Sequence, residues 1–596
     1  MSLVEGGVDD YTQDGTVDLQ GNPVSRSKRG GWTACTFILV FEVFRTMAYS
    51  GFLSNLVLNL TENLHEGTVT SANDVTNWVG TAYITAVLGL YVADAHLGRY
   101  WTSVVALAVY LTGMSIWTLA VSLPGLQPPR CPEADGGNCE KASALQLAVF
   151  YGALYMLAVG SGGAEANVST IGADQFDDFD PREKAHKLAF SNWRTVSIFF
   201  GSLFANFVLA YIQDNVGSAL GYGFPTLGLA ISVVIFLAGT PFYRHRVPAG
   251  SPLTSTARVI VAAVRKWRVP VPSDPKKLYE LDPQEDLKKA KFRIDSTPTL
   301  RFLNKACVRT GPASLWKLCS VTQVEETKQM LLMIPILIAT FVPSCMVAQV
   351  NTLFIKQGTT LDSSIGSFKI PLASLARFVT ISELVCSVMY DRFFVKLMRR
   401  CTKNPRGISL LCRMGIGLVL HIVIMTVASF TERWRLLVVR ENYLVESEGQ
   451  IPLTIFILLP QFVLMGTANA FLEGAKIEFF YNQAPESMKS LGTSYLMITL
   501  GVGNFLSSFL LSTVSHITER QGHRGWILDN LNASHLNYYY AFFAVLNILN
   551  FAFFLFVAKL YAYRAEVSGL DGVARGRDER AGATGGGGSA GDIALV

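Results

Sequence analysis

Long apolar runs separated by shorter polar stretches recur along most of the chain. A helix needs about 20 mostly apolar residues to cross a bilayer, and we count twelve runs of suitable length and character. They lie at 33–58, 75–96, 101–122, 143–168, 190–212, 221–242, 330–350, 368–390, 408–430, 452–475, 489–515 and 538–562. The pattern therefore predicts an all-α, multi-pass membrane protein with twelve transmembrane helices.

A long polar segment, 243–328, divides these runs into two sets of six. The predicted organisation is an N-terminal tail (1–32), a first six-helix bundle (33–242), this linker, a second bundle (329–562) and a disordered Gly-rich C-terminal tail (563–596). Lys and Arg in the short links favour cytosolic termini. The linker holds 17 Lys or Arg against 8 Asp or Glu, so it either lies on anionic lipid or is simply solvated.

Composition supports the membrane class and narrows the possible functions. Charged residues make up 16% of the chain, against roughly 25% in soluble proteins. The net charge of +5 is thinly spread and indicates no nucleic-acid partner. The sequence shows no nucleophile–base pair, phosphate-binding loop or metal-ligand spacing, so we expect no enzyme activity, no metal and no cofactor. The expected surroundings are the lipid bilayer and a small-molecule substrate, without an obligate protein partner.

Two cysteines and two glycosylation sequons lie in links on the predicted non-cytosolic side, opposite the linker. Cys131 and Cys139 lie in the link between the third and fourth runs, on the side where disulfides persist. We expect them to form a disulfide, and the alternative is two free surface thiols. Asn59 and Asn532 begin glycosylation sequons on the same side.

Several motifs together resemble one transporter family. The link between the second and third runs reads GLYVADAHLGR, and it resembles the major facilitator signature. Asp94 at a helix end, with Arg99 just beyond, can latch a cytosolic gate through a charge-assisted hydrogen bond. The other motifs are YTQDGTVD from Tyr11, VTNW from Val75, GSGG from Gly160, GADQF from Gly172 and EFFYNQAP from Glu478.

These motifs resemble the nitrate and peptide transporter family, the plant branch of the proton-coupled oligopeptide transporters. The resemblance extends from about residue 11 to residue 565. It implies a major facilitator fold and secondary transport of a peptide, nitrate, or a specialised metabolite or hormone by alternating access. A proton gradient is the possible driving force, and the plasma membrane or the vacuolar membrane is the expected location.

The charges inside the first and fourth runs depart from the family pattern. Glu42 is retained, but Arg45 stands where a second glutamate is usual, and Glu165 replaces the lysine of the fourth run. An unpaired charge at mid-bilayer costs at least about 2.5–3.5 kcal/mol. We therefore hypothesise an ion pair between Arg45 and Glu165 with its polarity swapped. The alternative is that each charge is solvated separately in a watery cavity.

Taken together, the candidates for the substrate or ion pathway lie on five of the predicted helices. Asn469 occupies a position that is usually acidic, and Glu473 lies one turn further on, where Lys476 could neutralise it. Gln349 and Asn351 lie near the family's substrate site or else form interhelical hydrogen bonds. The full set is Glu42, Arg45, Tyr49, Glu165, Arg194, Gln349, Asn351, Asn469 and Glu473.

The altered charges leave a second class of function open. A relative that no longer transports could act as a sensor or as a partner-binding membrane protein. The retained gate residues Asp94 and Arg99 argue against this, because a chain that does not alternate between states needs no latch.

Overall fold

The structure, a computed structural model, describes most of the chain. The described residues are 11–129, 142–177, 179–248, 250–272, 274, 278–280, 294–310, 314, 316–366, 368–402, 407–446, 450–519 and 525–561.

Six long helices form the first bundle. They are α1 (Gly31–Ser54), α2 (Thr68–Leu97), α3 (Arg99–Ser122), α4 (Ala144–Ala173), α5 (Pro181–Gln213) and α6 (Ser218–Phe242). A short helix, Leu56–Glu62, follows α1. Two of these helices have side-chain caps: Ser143 forms a capping box with Gln146 at the start of α4, and Asp180 caps α5 ahead of Pro181.

Six helical segments form the second bundle. They are α7 (Val321–Gly358), α8 (Arg377–Thr402), α9 (Leu410–Glu441), α10 (Ile455–Gln483), α11 (Lys489–Glu519) and α12 (Leu536–Leu560). α7 bends by 47° between Ala339 and Phe341, and a proline lies on each side of the bend, at Pro335 and Pro343.

Twelve helical segments in the described residues thus match the twelve predicted. Ten are long and apolar enough to cross a membrane, and α7 makes an eleventh if its bent halves form one span. α8 is comparably long but more highly charged, since it contains Glu383, Asp391 and Arg392. We call the end of the bundles that carries the linker the linker end, and the opposite end the far end.

Several helix bounds differ from the prediction. α7 begins at Val321, inside the predicted linker, and α9 continues to Glu441 rather than ending near residue 430. The extra turns contain buried ion pairs. Lys328 Nζ lies 2.6 Å from Glu325 Oε1, and Arg435 Nη2 lies 2.6 Å from Glu432 Oε1. Charges that indicated polar links in the sequence are therefore neutralised one turn apart within a helix.

Short strands at the far end are the exception to the all-α architecture. Leu361–Asp362 pairs in parallel with Ile451–Thr454, and Ser364–Ile365 pairs antiparallel with Phe368–Lys369. The strand Phe368–Lys369 occupies the start of the predicted eighth span, and the helix itself begins later, at Arg377.

Small residues let the helices approach closely. A side chain at Gly160 would collide with the backbone of Tyr110 on α3, and one at Gly162 would collide with the carbonyl of Ala82 on α2. Between the bundles, a Cβ on Gly80 of α2 would lie 3.2 Å from the carbonyl oxygen of Gly501 on α11. The GSGG motif is therefore a packing surface of the first bundle, as small residues are in other membrane helices.

The described parts of the linker form a small core of their own. The helix Pro252–Arg265 buries Val259, Ala262 and Ala263. These side chains belong to one apolar cluster with the 3₁₀ helix Arg301–Cys307 and the start of α7. The linker is thereby attached to the second bundle.

The ion pair Glu432–Arg435 also holds the asparagine of one sequon in the interior of the protein. Both side chains are fully buried, and Arg435 Nη1 donates a 2.8 Å hydrogen bond to Asn532 Oδ1. Asn532 is 3% exposed and Asn59 is 7% exposed, so neither is an accessible glycosylation site in this structure, contrary to what the sequons alone indicate.

Removing one member of this pair should destabilise the protein strongly. We expect Glu432→Ala to lower the free energy of unfolding by about 3–5 kcal/mol, because it leaves the buried Arg435 charge unpaired. Thermal unfolding in detergent measures the effect, and Glu441→Ala, at the exposed end of the same helix, is the control. Equal melting temperatures for the two variants would contradict the prediction.

Candidate functional site

Two arginines enclose one glutamate inside the first bundle. Arg45 Nε donates a 2.6 Å hydrogen bond to Glu42 Oε2, and Arg194 Nε donates a 2.8 Å bond to Glu42 Oε1. The Glu42 side chain is fully buried. It therefore fastens α1 to α5, and its carboxylate is committed to two guanidinium groups.

The hypothesised pair between Arg45 and Glu165 is present as a longer contact. Arg45 Nη1 lies 3.8 Å from Glu165 Oε2 on α4. The two side chains differ in exposure, with Arg45 at 3% and Glu165 at 37%. The shorter partner of Arg45 is Glu42, which the sequence did not indicate. Glu165 is thus held loosely and faces open space.

Three tyrosines lie around Glu165. The hydroxyl groups of Tyr49 on α1, Tyr83 on α2 and Tyr110 on α3 all interact electrostatically with its carboxylate. Tyr49 also stacks on Trp78, with ring centroids 5.5 Å apart. The buried Tyr110 hydroxyl has no hydrogen-bond partner among the described residues. Tyr83 and Tyr110 were missed in the sequence, although both are polar aromatics within predicted spans.

The second bundle presents its own carboxylates. Glu473 Oε1 lies 2.6 Å from Lys476 Nζ on α10, and the lysine is fully buried while Glu473 is 19% exposed. The uncharged Asn469 amide lies near the Glu383 carboxylate on α8, and the buried Oδ1 atom of Asn469 has no partner among the described residues. Glu383 also interacts electrostatically with Glu473. In the sequence, the feature that marks Glu383 as a candidate is its position as a charged residue inside a predicted span.

One tyrosine lies within electrostatic reach of both sets of carboxylates. Tyr83 interacts electrostatically with Glu165 of the first bundle and with Glu473 of the second. The candidate site is therefore the region around Tyr83, at the interface between the bundles.

The α7 candidates lie in a different setting. Gln349 Nε2 donates a 3.1 Å hydrogen bond to Ser507 Oγ on α11, and Gln349 is 2% exposed. Asn351 is partly buried at the break between Phe341–Val350 and Leu353–Gly358. The contacts of Gln349 match the interhelical alternative.

The predicted gate residues lie at the linker end. Arg99 Nη2 lies 3.6 Å from Asp94 Oδ1, and Arg99 makes a closer ion pair with Asp174 at the end of α4. Ser490, at the start of α11 in the other bundle, lies near the Asp94 carboxylate. Beside them, a cavity of about 1650 Å³ lies between the two bundles and the linker.

Polar contacts join the two bundles at the far end. Asp529 Oδ1 accepts a 2.6 Å hydrogen bond from the amide of Thr68, which caps α2 where Gly67 supplies no side chain. Asn73 Nδ2 donates a 2.8 Å bond to Ser512 Oγ. Arg377 Nη2 donates a 2.7 Å bond to Ser54 Oγ.

An acidic pair also lies at the far end, within the first bundle. Tyr151 Oη lies 2.8 Å from Glu66 Oε1 and 2.6 Å from Asp74 Oδ2. Burial raises the pKa of the Glu66 carboxyl to about 7; the Tyr151 hydrogen bond opposes this shift and the Asp74 charge adds to it.

The predicted disulfide between Cys131 and Cys139 lies outside the described residues. Within the part of the chain that the structure describes, no group of three His, Cys, Asp or Glu side chains is arranged to hold a metal ion.

Two helical bundles around a shared polar space define a membrane transporter rather than an enzyme, and the comparisons identify its family. Residues 100–527 match the POT family, described as PTR2. The chain belongs to this family, which confirms the resemblance inferred from its motifs.

Relatives from Arabidopsis thaliana match nearly the whole chain. Protein NRT1/PTR FAMILY 5.2 is 62% identical over 570 residues, covering 95% of this chain and 98% of its own. Protein NRT1/PTR FAMILY 5.3 is 61% identical, covering 95% and 97%. Among solved structures, the POT family transporter PepTSo aligns with a TM-score of 0.63 at 18% identity, over 89% of this chain and 99% of its own. This likeness confirms the major facilitator fold.

The central charges should differ in their importance for stability. We expect Glu42→Ala to lower the free energy of unfolding by about 3–5 kcal/mol, because it leaves two arginines without their buried partner. The matched variant Glu165→Ala removes a long, exposed contact and should cost less than about 1 kcal/mol. Thermal unfolding in detergent compares them, and an equal or larger loss for Glu165→Ala would refute this order.

Glu66 should make stability depend on pH. Its carboxyl has a pKa of about 7 in the folded chain, against an ordinary value of 4.5. The folded state therefore binds the proton more tightly, so stability is lost as pH rises between these values and is constant above them. Glu66→Gln should flatten the fall in melting temperature over this interval.

Asp362→Asn is the matched control for this measurement. The backbone amide of Ser364 lowers the pKa of Asp362, so this carboxylate does not titrate in the same interval. If the Glu66→Gln profile has the wild-type slope, Glu66 is not the titrating group.

Proposed function

We propose that this member of the POT family is a secondary transporter that moves a small solute by alternating access. The candidate solutes are a peptide, nitrate, and a specialised metabolite or hormone. The linker end faces the cytosol, together with both termini, and the membrane is the plasma membrane or the vacuolar membrane. The solute passes through the region around Tyr83, where both bundles contribute polar side chains.

The observation that supports alternating access is the difference between the two ends. At the far end the bundles are joined by three polar contacts, Thr68–Asp529, Asn73–Ser512 and Ser54–Arg377. At the linker end a cavity of about 1650 Å³ separates them. One closed end and one cavity-bearing end are what a transporter that rocks around a central site displays in one of its states.

Proton coupling in this proposal runs through Glu383. Glu42 is a poor proton carrier, because two arginines hold it as the carboxylate. Glu473 is paired with Lys476. Glu383 instead has the Glu473 carboxylate as its charged neighbour, and a like charge favours protonation of a carboxyl group, so Glu383 can gain and lose a proton.

Uptake by oocytes tests the proposal. Cells expressing the full chain are offered peptides, nitrate, hormones and glycosides at acidic and at neutral pH. Accumulation of at least one solute above that in control oocytes is the expected result. Surface expression without accumulation of any solute would favour a sensor instead.

The Glu383→Gln variant tests the coupling residue. For a solute that the wild-type chain accumulates more at acidic pH, the variant should lose this pH dependence, because an amide cannot titrate. Glu519→Gln, at the far end of α11, is the control and should keep the wild-type profile. A wild-type profile in Glu383→Gln would exclude Glu383 as the proton carrier.

A further inference from the structure

The cavity at the linker end carries an excess of positive charge. Among the described residues that line it, four are Arg or Lys and two are Asp or Glu. Both carboxylates are engaged, since Asp94 Oδ1 lies 3.6 Å from Arg99 Nη2 and Glu326 accepts a hydrogen bond from Ser487 Oγ. The other cations of the lining are Arg246, Arg258 and Lys489. The cavity therefore attracts an anion.

Two arginines of this lining have donors to spare. The buried Nε atom of Arg258 has no acceptor among the described residues, and its guanidinium carbon lies 5.7 Å from the centre of the Trp316 ring. Arg246 is 48% exposed, and its Nη1 lies 3.7 Å from Asp174 Oδ1, a carboxylate that Arg99 binds more closely. Buried polar groups are generally hydrogen-bonded, and a guanidinium group can bind two oxygens of one phosphate. A phosphate group would satisfy both arginines.

Another part of the cavity wall is apolar and belongs to membrane helices. It is formed by Ile338 of α7 and by Phe553, Phe556 and Leu560 of α12, and these side chains are between 40% and 69% exposed. Both helices are candidate membrane spans, so their exposed apolar side chains contact lipid tails. The stretch from Phe553 to Leu560 is about 10 Å long, which accommodates the upper part of an acyl chain. The cavity is thus open to the lipid on one side and basic on the other.

We propose that this cavity binds one anionic phospholipid from the membrane leaflet at the linker end. The lipid phosphate binds Arg246 and Arg258, and an acyl chain lies along Phe556 and the neighbouring apolar side chains of α12. Basic pockets between membrane helices are typical sites for anionic headgroups. A soluble phosphate would use the arginines alone, whereas a lipid also covers the apolar wall.

This site goes beyond the proposed transport function and does not depend on the solute. Among the described residues that line the cavity, none is a candidate for the substrate or ion pathway around Tyr83. Lipid binding can therefore be measured without any transported solute.

Native mass spectrometry of the purified full-length chain in detergent tests the site. The probe is 1-palmitoyl-2-oleoyl phosphatidic acid, and the comparison is phosphatidylcholine with the same acyl chains, which carries no net charge. The first bound lipid should show a preference of about tenfold or more for phosphatidic acid. The double variant Arg246→Gln with Arg258→Gln should lose this preference. Arg399→Gln with Arg400→Gln removes the same charge from exposed positions at the end of α8, outside the cavity lining, and should retain it.

Thr254 provides a second test, in case the double arginine variant does not fold. It lines the cavity and is the third residue of the helix Pro252–Arg265, which Ser251 caps. Glu or Gln at this position completes a capping box with the serine, so both variants should keep the melting temperature of the wild-type chain. Thr254→Glu adds a carboxylate that repels the phosphate and should bring the lipid preference to near unity. The neutral Thr254→Gln should retain the preference.

Competition with glycerol 3-phosphate distinguishes a lipid from a soluble phosphate. At millimolar concentration this compound should leave phosphatidic acid bound, because it has the phosphate but no acyl chain. Displacement of the lipid would assign the cavity to soluble phosphates and overturn the proposal. Equal binding of the two lipids would also overturn it, as would a preference that persists in Thr254→Glu. An equal loss of preference in the Arg399→Gln, Arg400→Gln control would assign lipid binding to general surface charge and overturn the site.

Discussion

A charge inside a bilayer must find a partner, and this constraint shapes both the packing and the central site of the chain. The cost of an unpaired charge at mid-membrane is at least about 2.5–3.5 kcal/mol. Glu42 meets the constraint by holding Arg45 and Arg194, and in doing so it ties α1 to α5. In α7 and α9 the pairs are formed three residues apart on one helix. Pairing therefore neutralises the buried charges in the end turns of these two helices.

The same constraint gives the central space its chemical character. A buried cation with a carboxylate directed toward that space satisfies the ion pair and leaves the carboxylate as its more exposed member. Both bundles adopt this arrangement, with Arg45 behind Glu165 and Lys476 behind Glu473. Because the signs at Arg45 and Glu165 are reversed relative to the pattern that the resemblance implies, the more exposed member of this pair is a carboxylate and not a cation.

The sequence predicted the architecture well and the site in part, and the reasons are physical. Apolar runs of bilayer length correspond to membrane helices, so the twelve segments and their division into two bundles could be recognised from the sequence. Helix ends were misplaced where neutralised charges resembled polar links, as at Val321 and Glu441. The contact of Arg45 with Glu165 could be inferred because both signs change together. The contacts of Glu42 with Arg194, and of Asn469 with Glu383, join residues on different helices, and one sequence carries no record of such proximity.

The polar contacts that join the two bundles at the far end of the described chain are individually weak, as the proposed alternating access requires. A net hydrogen bond contributes about 0.5–1.5 kcal/mol, so the three polar contacts between the bundles amount to a few kcal/mol. Arg377 illustrates this weakness. The charged side chain of Arg377 donates its hydrogen bond across the interface to the neutral hydroxyl of Ser54 and not to a carboxylate. Shifting a two-state equilibrium from one extreme to the other takes about 5.5 kcal/mol of differential binding. A solute held by both bundles can supply a large part of this, whereas a buried ion pair across the same interface would hold the end closed.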